Sequence, residues 1–188
     1  ISELEDLFSK HRDIGVIVLE PIRNVEPEDN FLQKVKAIAE KNNCVLVFDE
    51  ISSGFRLGSS GVHINFDIAP DIAVFSKAIG NGYPIAAIIG KKNVMEAAQD
   101  SFISSTYWSE RIGFVAALAT IKKHQRLDVS THLRSIGKAV QKLWLENSSR
   151  HKIDIDVKGI EPLSTFSFNV EKKDPLLLKA IFIQEMLN

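Results

Sequence analysis

Short apolar runs separated by an amphipathic stretch set the pattern of the first half of the chain. Positions 14–20, 44–48 and 72–75 are almost continuously apolar, which is typical of strands covered on both faces. Between the first two runs, apolar residues recur at helical spacing, namely Phe31, Leu32, Val35, Ile38 and Ala39. The pattern predicts a strand, a helix and a second strand, with parallel pairing and a right-handed crossover.

The pattern changes in the second half of the chain. After the third run come a turn with closely spaced glycines and a further apolar run at 85–89, which predicts a fourth strand. Helical periodicity prevails over 94–147. Positions 153–159 and 164–170 alternate between apolar and polar residues, which predicts two half-exposed strands before a terminal helix. We expect an α/β fold with a domain junction within 126–150.

The composition is that of a globular protein with a balanced charge. The chain has 188 residues, 45% of them hydrophobic, and its 23 Lys and Arg against 24 Asp and Glu give a formal net charge of -1. No basic stripe indicates nucleic acid or an anionic membrane surface, and no apolar run approaches the roughly 20 residues that span a bilayer. We expect a small-molecule partner, neither nucleic acid nor membrane, and a cytoplasmic location. The ends of the sequence lead us to expect part of a longer protein.

Charged side chains stand where two of the apolar runs end. In VLVFDEISSGFR, residues 45–56, four apolar residues lead directly into Asp49 and Glu50. Lys77 follows the third run after a single serine, Ser76. Because open α/β sheets bind ligands beyond the carboxyl ends of their strands, we expect Asp49 and Lys77 to lie over the same edge of the sheet.

Two chemistries suit these residues. An apolar run that ends in Asp-Glu is the Walker-B pattern, in which Asp49 would hold Mg²⁺ and Glu50 would polarise water, although the matching G-x-x-x-x-G-K-[ST] loop does not occur in this sequence. Alternatively, Lys77 forms a Schiff base with an aldehyde, and Asp49 holds a protonated pyridine nitrogen so that the ring is an electron sink. The second chemistry is that of pyridoxal phosphate, and a Mg-dependent NTPase is the alternative.

Three segments carry a resemblance to a known family. FDEISSGFR, PDIAVFSKAIGNGYPIAAIIG and SSTYWSERIG resemble, in order and spacing, the class III aminotransferases of the fold-type I pyridoxal-phosphate enzymes, and among them the glutamate-1-semialdehyde aminomutase-like proteins. The resemblance covers 14 to about 125. It implies that 1–126 form the C-terminal half of a cofactor-binding large domain with a mostly parallel sheet flanked by helices. It further implies that 127–150 form a connecting helix and that 151–188 begin a small α+β domain.

The resemblance also implies roles for individual residues. Lys77 corresponds to the lysine that forms the Schiff base, and Asp49 to the aspartate that pairs with the pyridine nitrogen. Ile51 corresponds to the aliphatic residue that packs on the ring, and Ser52 stands where many members have a glutamine that contacts the phenolic oxygen. Thr106 corresponds to the threonine that reaches the cofactor phosphate of the neighbouring subunit, which implies a homodimer. No residue is assigned to a metal.

The activity that the resemblance implies is a pyridoxal-phosphate-dependent aminotransferase or aminomutase that acts on a small amino or keto substrate. Ser109, Glu110 and Arg111 replace the Gly-Asn-Pro of many members, which indicates a different substrate specificity. The glycine and serine segment that cradles the phosphate lies upstream of these motifs in full-length members. A catalytically incomplete fragment or a dimerisation module is therefore a further alternative.

Overall fold

The computed structural model describes residues 1–170 and 175–187, which form two compact units. The division falls between Thr131 and His132. Positions 171–174 and 188, which belong to the predicted small domain, lie outside the described residues. The assignment of the chain to a cofactor-binding domain, a connecting helix and a small domain remains a proposal.

The first unit is an α/β structure built on one four-stranded sheet. Its elements are α1 (Ser2–Lys10), β1 (Val16–Leu19), α2 (Phe31–Lys41), β2 (Val45–Asp49), β3 (Ile72–Phe75), β4 (Ala87–Gly90), α3 (Lys92–Met95) and α4 (Arg111–Leu127), with 3-10 turns at Val62–Phe66, Lys77–Ile79 and Glu96–Asp100. The strand order is β1-β2-β3-β4; the first three strands are parallel and β4 is antiparallel to β3. The predicted parallel strand, helix and strand unit is confirmed.

The sheet buries one of its faces more completely than the other. Phe48 of β2 packs with α2 in one core cluster, and Phe75 of β3 packs with Ala117 of α4 in a second cluster. On the opposite face of β1, Val16 and Val18 are 52% and 64% exposed. The prediction that β1 is covered on both faces is therefore wrong for the described residues. A four-residue strand can be wholly apolar while its alternate side chains point to an open face.

The carboxylate of Asp71 joins three strands at the edge where β3 begins. Its Oδ2 accepts a hydrogen bond from the Leu46 N–H at 2.8 Å, and its Oδ1 lies 2.8 Å from Lys91 Nζ. Burial works against ionisation, but these hydrogen bonds and the charges of Lys91 and Lys36 hold the pKa of the Asp71 carboxyl below its ordinary value. Asp71 thus links the start of β3 to β2 and to the residue that follows β4.

The second unit is smaller and combines helices with a two-stranded antiparallel sheet. Its elements are α5 (Val129–His151), which begins just before the division, β5 (Ile155–Lys158), a 3-10 turn at Glu161–Leu163, β6 (Thr165–Phe168) and α6 (Pro175–Met186). The two predicted alternating strands are confirmed. The ring of Phe166 lies 5.0 Å from that of Trp144 and 5.2 Å from that of Phe182, in edge-on arrangements that hold the sheet against both helices. Among the described residues, no helix is both long and apolar enough to cross a bilayer.

Candidate functional site

The structure places Asp49 and Lys77 at the carboxyl ends of two neighbouring parallel strands. Asp49 is the last residue of β2 and pairs in register with Val74 of β3. Lys77 follows the end of β3 after Ser76, whose Oγ donates a hydrogen bond to the Ile85 carbonyl at 2.9 Å. Both residues therefore emerge from the same edge of the sheet, where parallel α/β folds bind ligands.

The side chain and the backbone of Lys77 are both constrained. Its Nζ donates a hydrogen bond to Ser52 Oγ at 2.8 Å, although the side chain is exposed. Its φ of 48° lies in the left-handed region, which costs a residue with a Cβ about 1–2 kcal/mol. Backbone strain of this kind concentrates at functional sites, where the surrounding structure holds it in place.

The turn after Lys77 requires its glycines. Gly82 has a φ of 100°, and a Cβ on Gly80 would lie 2.2 Å from the Tyr83 carbonyl oxygen. Helix α4 approaches the same turn closely, because a Cβ on Gly113 would lie 2.9 Å from the Pro84 carbonyl oxygen. The glycines thus let the turn fold tightly beneath Lys77 and against α4.

Asp49 is anchored through one of its two carboxylate oxygens. Oδ1 accepts a hydrogen bond from the Ile51 N–H at 3.0 Å, and both residues are half-buried. Within the part of the chain that the structure describes, Oδ2 accepts no hydrogen bond. The carboxylate is thus oriented by the backbone while its second oxygen remains available to a cationic donor.

Glu50 does not have the geometry of a Walker-B glutamate. Its side chain is 0% exposed, and its two oxygens accept hydrogen bonds from the backbone N–H groups of Val62 and His63. A glutamate that polarises water beside Mg²⁺ has to face the ligand, whereas this carboxylate faces the protein interior. This geometry therefore does not fit the Mg-dependent NTPase alternative.

Thr106 belongs to a different loop from the other predicted cofactor residues. It is exposed in a turn, and among the described residues no hydrogen bond joins it to Asp49, Ile51, Ser52 or Lys77. The residues on either side of it line an open cavity of about 1040 Å³ that β4 and the start of α4 complete. The structure thus brings four of the five predicted residues to one sheet edge, and it places Thr106 in an exposed turn beside this cavity.

Glu110, in the segment that departs from the family pattern, caps α4. Its Oε2 accepts hydrogen bonds from the Ile112 N–H at 2.9 Å and the Gly113 N–H at 3.4 Å. A carboxylate at this position satisfies backbone donors and interacts favourably with the helix dipole. The departure therefore preserves a helix cap beside the turn that follows Lys77.

Two further residues hold the loop that follows β2, and sequence reasoning does not assign them this role. Arg56 Nε donates a hydrogen bond to the Ser52 carbonyl at 2.8 Å. His124 of α4 is 6% exposed, its ring lies edge-on to that of Phe55 at 6.1 Å, and it forms a hydrogen bond with the Phe55 backbone. His124 and Phe55 are far apart in sequence, so no local signal connects them.

His124 is expected to make the stability of the protein depend on pH. Burial lowers its pKa below 6.5, and the Phe55 hydrogen bond and the Asp128 carboxylate only partly oppose this. As the pH falls below about 6.5, His124 binds a proton in the unfolded chain but remains neutral in the folded protein. The free energy of unfolding therefore decreases by at most about 1.4 kcal/mol per pH unit.

Replacement of His124 with Gln should flatten this dependence between about pH 7.5 and about pH 5.5, which is about one pH unit either side of an ordinary histidine pKa. Denaturant unfolding of both proteins at several pH values measures it. His11→Gln is the matched control, because His11 is exposed. Equal pH slopes for wild type and His124→Gln would show that this ring does not contribute.

A family model described as aminotransferase class-III matches residues 1–180 of this chain. The chain is 30% identical to 2'-deamino-2'-hydroxyneamine transaminase of Streptomyces kanamyceticus, over 84% of this chain and 40% of that protein. It is 37% identical to 3-aminobutyryl-CoA aminotransferase of Cloacimonas acidaminovorans, over 72% of this chain and 35% of that protein. It is 36% identical to glutamate-1-semialdehyde 2,1-aminomutase of Nitrosopumilus maritimus, over 68% of this chain and 32% of that protein. The chain thus spans less than half of each relative.

Solved structures show the same fold. The FumI protein of Sphingopyxis sp. MTA144, in its PLP internal aldimine form, superposes with a TM-score of 0.79 at 23% identity, over 93% of this chain and 43% of that one. Ornithine aminotransferase of Plasmodium yoelii superposes with a TM-score of 0.75 at 23% identity, over 93% of this chain and 48% of that one. Because the family model matches nearly the whole length of this chain, the chain belongs to the class III aminotransferase family.

Proposed function

We propose that the complete protein is a pyridoxal-phosphate-dependent aminotransferase or aminomutase, with Lys77 as the residue that binds the cofactor covalently. The observation that carries this proposal is the arrangement of Asp49, Ser52 and Lys77 at one sheet edge. An amine held 2.8 Å from a hydroxyl and a half-buried carboxylate emerge there from adjacent parallel strands. Family membership supports the same activity.

The residues at this edge fit the cofactor by their chemistry. Asp49 has an oriented carboxylate that can accept a charge-assisted hydrogen bond from a protonated pyridine nitrogen, worth roughly 1.5–3 kcal/mol. Ile51 offers an aliphatic surface for the face of the ring, and the Ser52 hydroxyl can bind the phenolic oxygen. Lys77 supplies an exposed primary amine.

When bound, pyridoxal phosphate supplies a cationic ring that withdraws electrons from a substrate carbon. Asp49 would hold the ring nitrogen and favour its protonated form, because a negative carboxylate favours the charged form of its partner. With the cofactor bound, Lys77 Nζ would act as general base and acid for the proton on the amine-bearing substrate carbon. The Ser52 hydroxyl accepts a hydrogen bond from this amine and so restricts where the amine lies.

The proposal extends to a small amino or keto substrate and to a homodimer. The named relatives include transaminases and an aminomutase, and both activities use the same cofactor. Thr106 is exposed, in keeping with a role in binding the cofactor phosphate of a neighbouring subunit. The proposed dimer thus gives a role to the exposed turn that contains Thr106.

Reduction with borohydride tests the assignment directly. The complete protein is loaded with pyridoxal phosphate and reduced, which leaves the cofactor permanently attached to the lysine as a label. Mass spectrometry should find this label on the peptide that contains Lys77. Lys91, which is paired with Asp71, and Lys92, which is exposed, lie nearby as internal controls and should stay unlabelled. A label on another lysine would contradict the assignment. The same reduction of the 188-residue chain alone decides whether its residues suffice for binding.

A further inference from the structure

The carboxylate of Glu50 is buried between the predicted site residues and is fully hydrogen-bonded. Oε2 accepts from the Val62 N–H at 2.5 Å and from Ser53 Oγ at 3.4 Å. Oε1 accepts from the His63 N–H at 3.0 Å and lies 2.5 Å from His63 Nδ1. A carboxylate that is 0% exposed requires such partners, because an unpaired buried charge is very costly.

These hydrogen bonds close the loop formed by residues 51–61 at its two ends. Glu50 directly follows β2, and its partners Val62 and His63 begin the next 3-10 turn. The closure requires Gly61, since a Cβ there would lie 2.5 Å from the His63 ring and 2.9 Å from Glu50 Oε1. Glu50 and His63 therefore act as a clasp on this loop.

The loop so closed carries Ser52, the residue that contacts Lys77. Ser52 Oγ accepts the hydrogen bond from Lys77 Nζ, and its carbonyl accepts one from Arg56 within the same loop. The Gly54 N–H, hydrogen-bonded to the Glu50 carbonyl at 2.9 Å, sets the first turn of the loop on the end of β2. The position of the Ser52 hydroxyl thus depends on how the loop is held.

We propose that Glu50 and His63 are positioning residues that hold Ser52 against Lys77. This inference rests on the proposed function, because Lys77 matters only if it is the reactive amine. Neither residue touches Lys77; both act through the loop. His63 is the residue to change, because its side chain is 17% exposed and its loss leaves the backbone donors of the clasp in place.

The experiment uses the complete protein without pyridoxal phosphate and compares His63→Ala with wild type. Hydrogen exchange of the amides in 51–63 should become about tenfold to hundredfold faster, since a hydrogen bond to a buried carboxylate is lost. Acylation of Lys77 by acetic anhydride, relative to Lys92, should become about threefold to tenfold faster, because the amine is released from Ser52.

Two variants separate positioning from general stabilisation. His63→Asn, whose amide can donate to Glu50 Oε1, should restore both measurements to within about twofold of wild type. Ser52→Ala should reproduce the faster acylation of Lys77 without faster exchange at Val62 and His63. His11→Ala, at an exposed histidine, is the matched control and should change neither measurement.

Three results would overturn the inference. They are faster loop exchange with unchanged Lys77 acylation, no change in either measurement, and a uniform acceleration of exchange across the sheet. Each is obtained without the cofactor, so it is independent of the borohydride mapping. A label on another lysine would therefore refute the proposed function, whereas these results refute only the positioning role of Glu50 and His63.

Discussion

Replacement of Lys77 with Ala in the complete protein is expected to abolish covalent incorporation of pyridoxal phosphate after borohydride reduction. Amino transfer should fall by more than about 10³-fold, because alanine offers no amine to bond the aldehyde or to move the substrate proton. The fold should persist, since the lysine side chain is exposed and alanine occupies the same left-handed backbone at comparable cost. Visible absorbance, mass of the reduced protein and steady-state rates provide the measurements.

Two variants make the Lys77 result specific. Lys77→Arg keeps the positive charge but cannot attack the aldehyde, so it should lose activity as completely as Lys77→Ala. Lys92→Ala removes an exposed lysine that pairs with the exposed Glu96, and it should behave as wild type. Covalent incorporation that survives in Lys77→Ala would contradict the assignment of this lysine.

The strands that bear the site could be predicted because their signals are local. The third apolar run coincides with β3, and the second lies within one residue of β2. The run at 85–89 predicts a strand, and the structure has a strand at Ala87–Gly90 that pairs antiparallel with β3. The antiparallel direction fits a short connection without an α-helix, because parallel strands are usually joined by a longer, helical crossover.

The position of Asp49 and Lys77 at a shared edge follows from parallel pairing alone. The clasp formed by Glu50 and His63 could not be predicted, because it depends on the conformation of a whole loop and not on spacing. The same holds for the contact between Ser52 and Lys77, which are 25 residues apart. Long-range side-chain contacts require the packed structure, whereas strand ends are visible in the sequence.

The departure at Ser109, Glu110 and Arg111 illustrates how a motif difference can be structural. From the sequence it indicates altered specificity, and that prediction stands untested. The structure adds that Glu110 caps α4 with its carboxylate. Since an Asn in the family pattern is also a favoured cap residue, the two sequences can satisfy the same backbone donors.

Replacement of Asp49 with Asn is expected to reduce amino transfer by about 10²- to 10³-fold, the range found when one preorganised electrostatic partner of a transition state is removed. The amide oxygen of Asn can still accept the Ile51 N–H, so the loop should keep its conformation while the negative charge is lost. Without that charge the ring nitrogen is less often protonated and withdraws electrons less strongly.

The decisive comparison for Asp49 is rescue by a cofactor analogue whose ring nitrogen is methylated and therefore always cationic. Asp49→Ala, which leaves space for the methyl group, should regain at least about tenfold in turnover with this analogue, because the positive charge no longer depends on a carboxylate. Asp100→Asn, at an exposed acid, is the matched control and should retain wild-type rates. A loss in Asp49→Asn that appears in KM alone, with kcat unchanged, would mean that Asp49 contributes to binding and not to ring protonation.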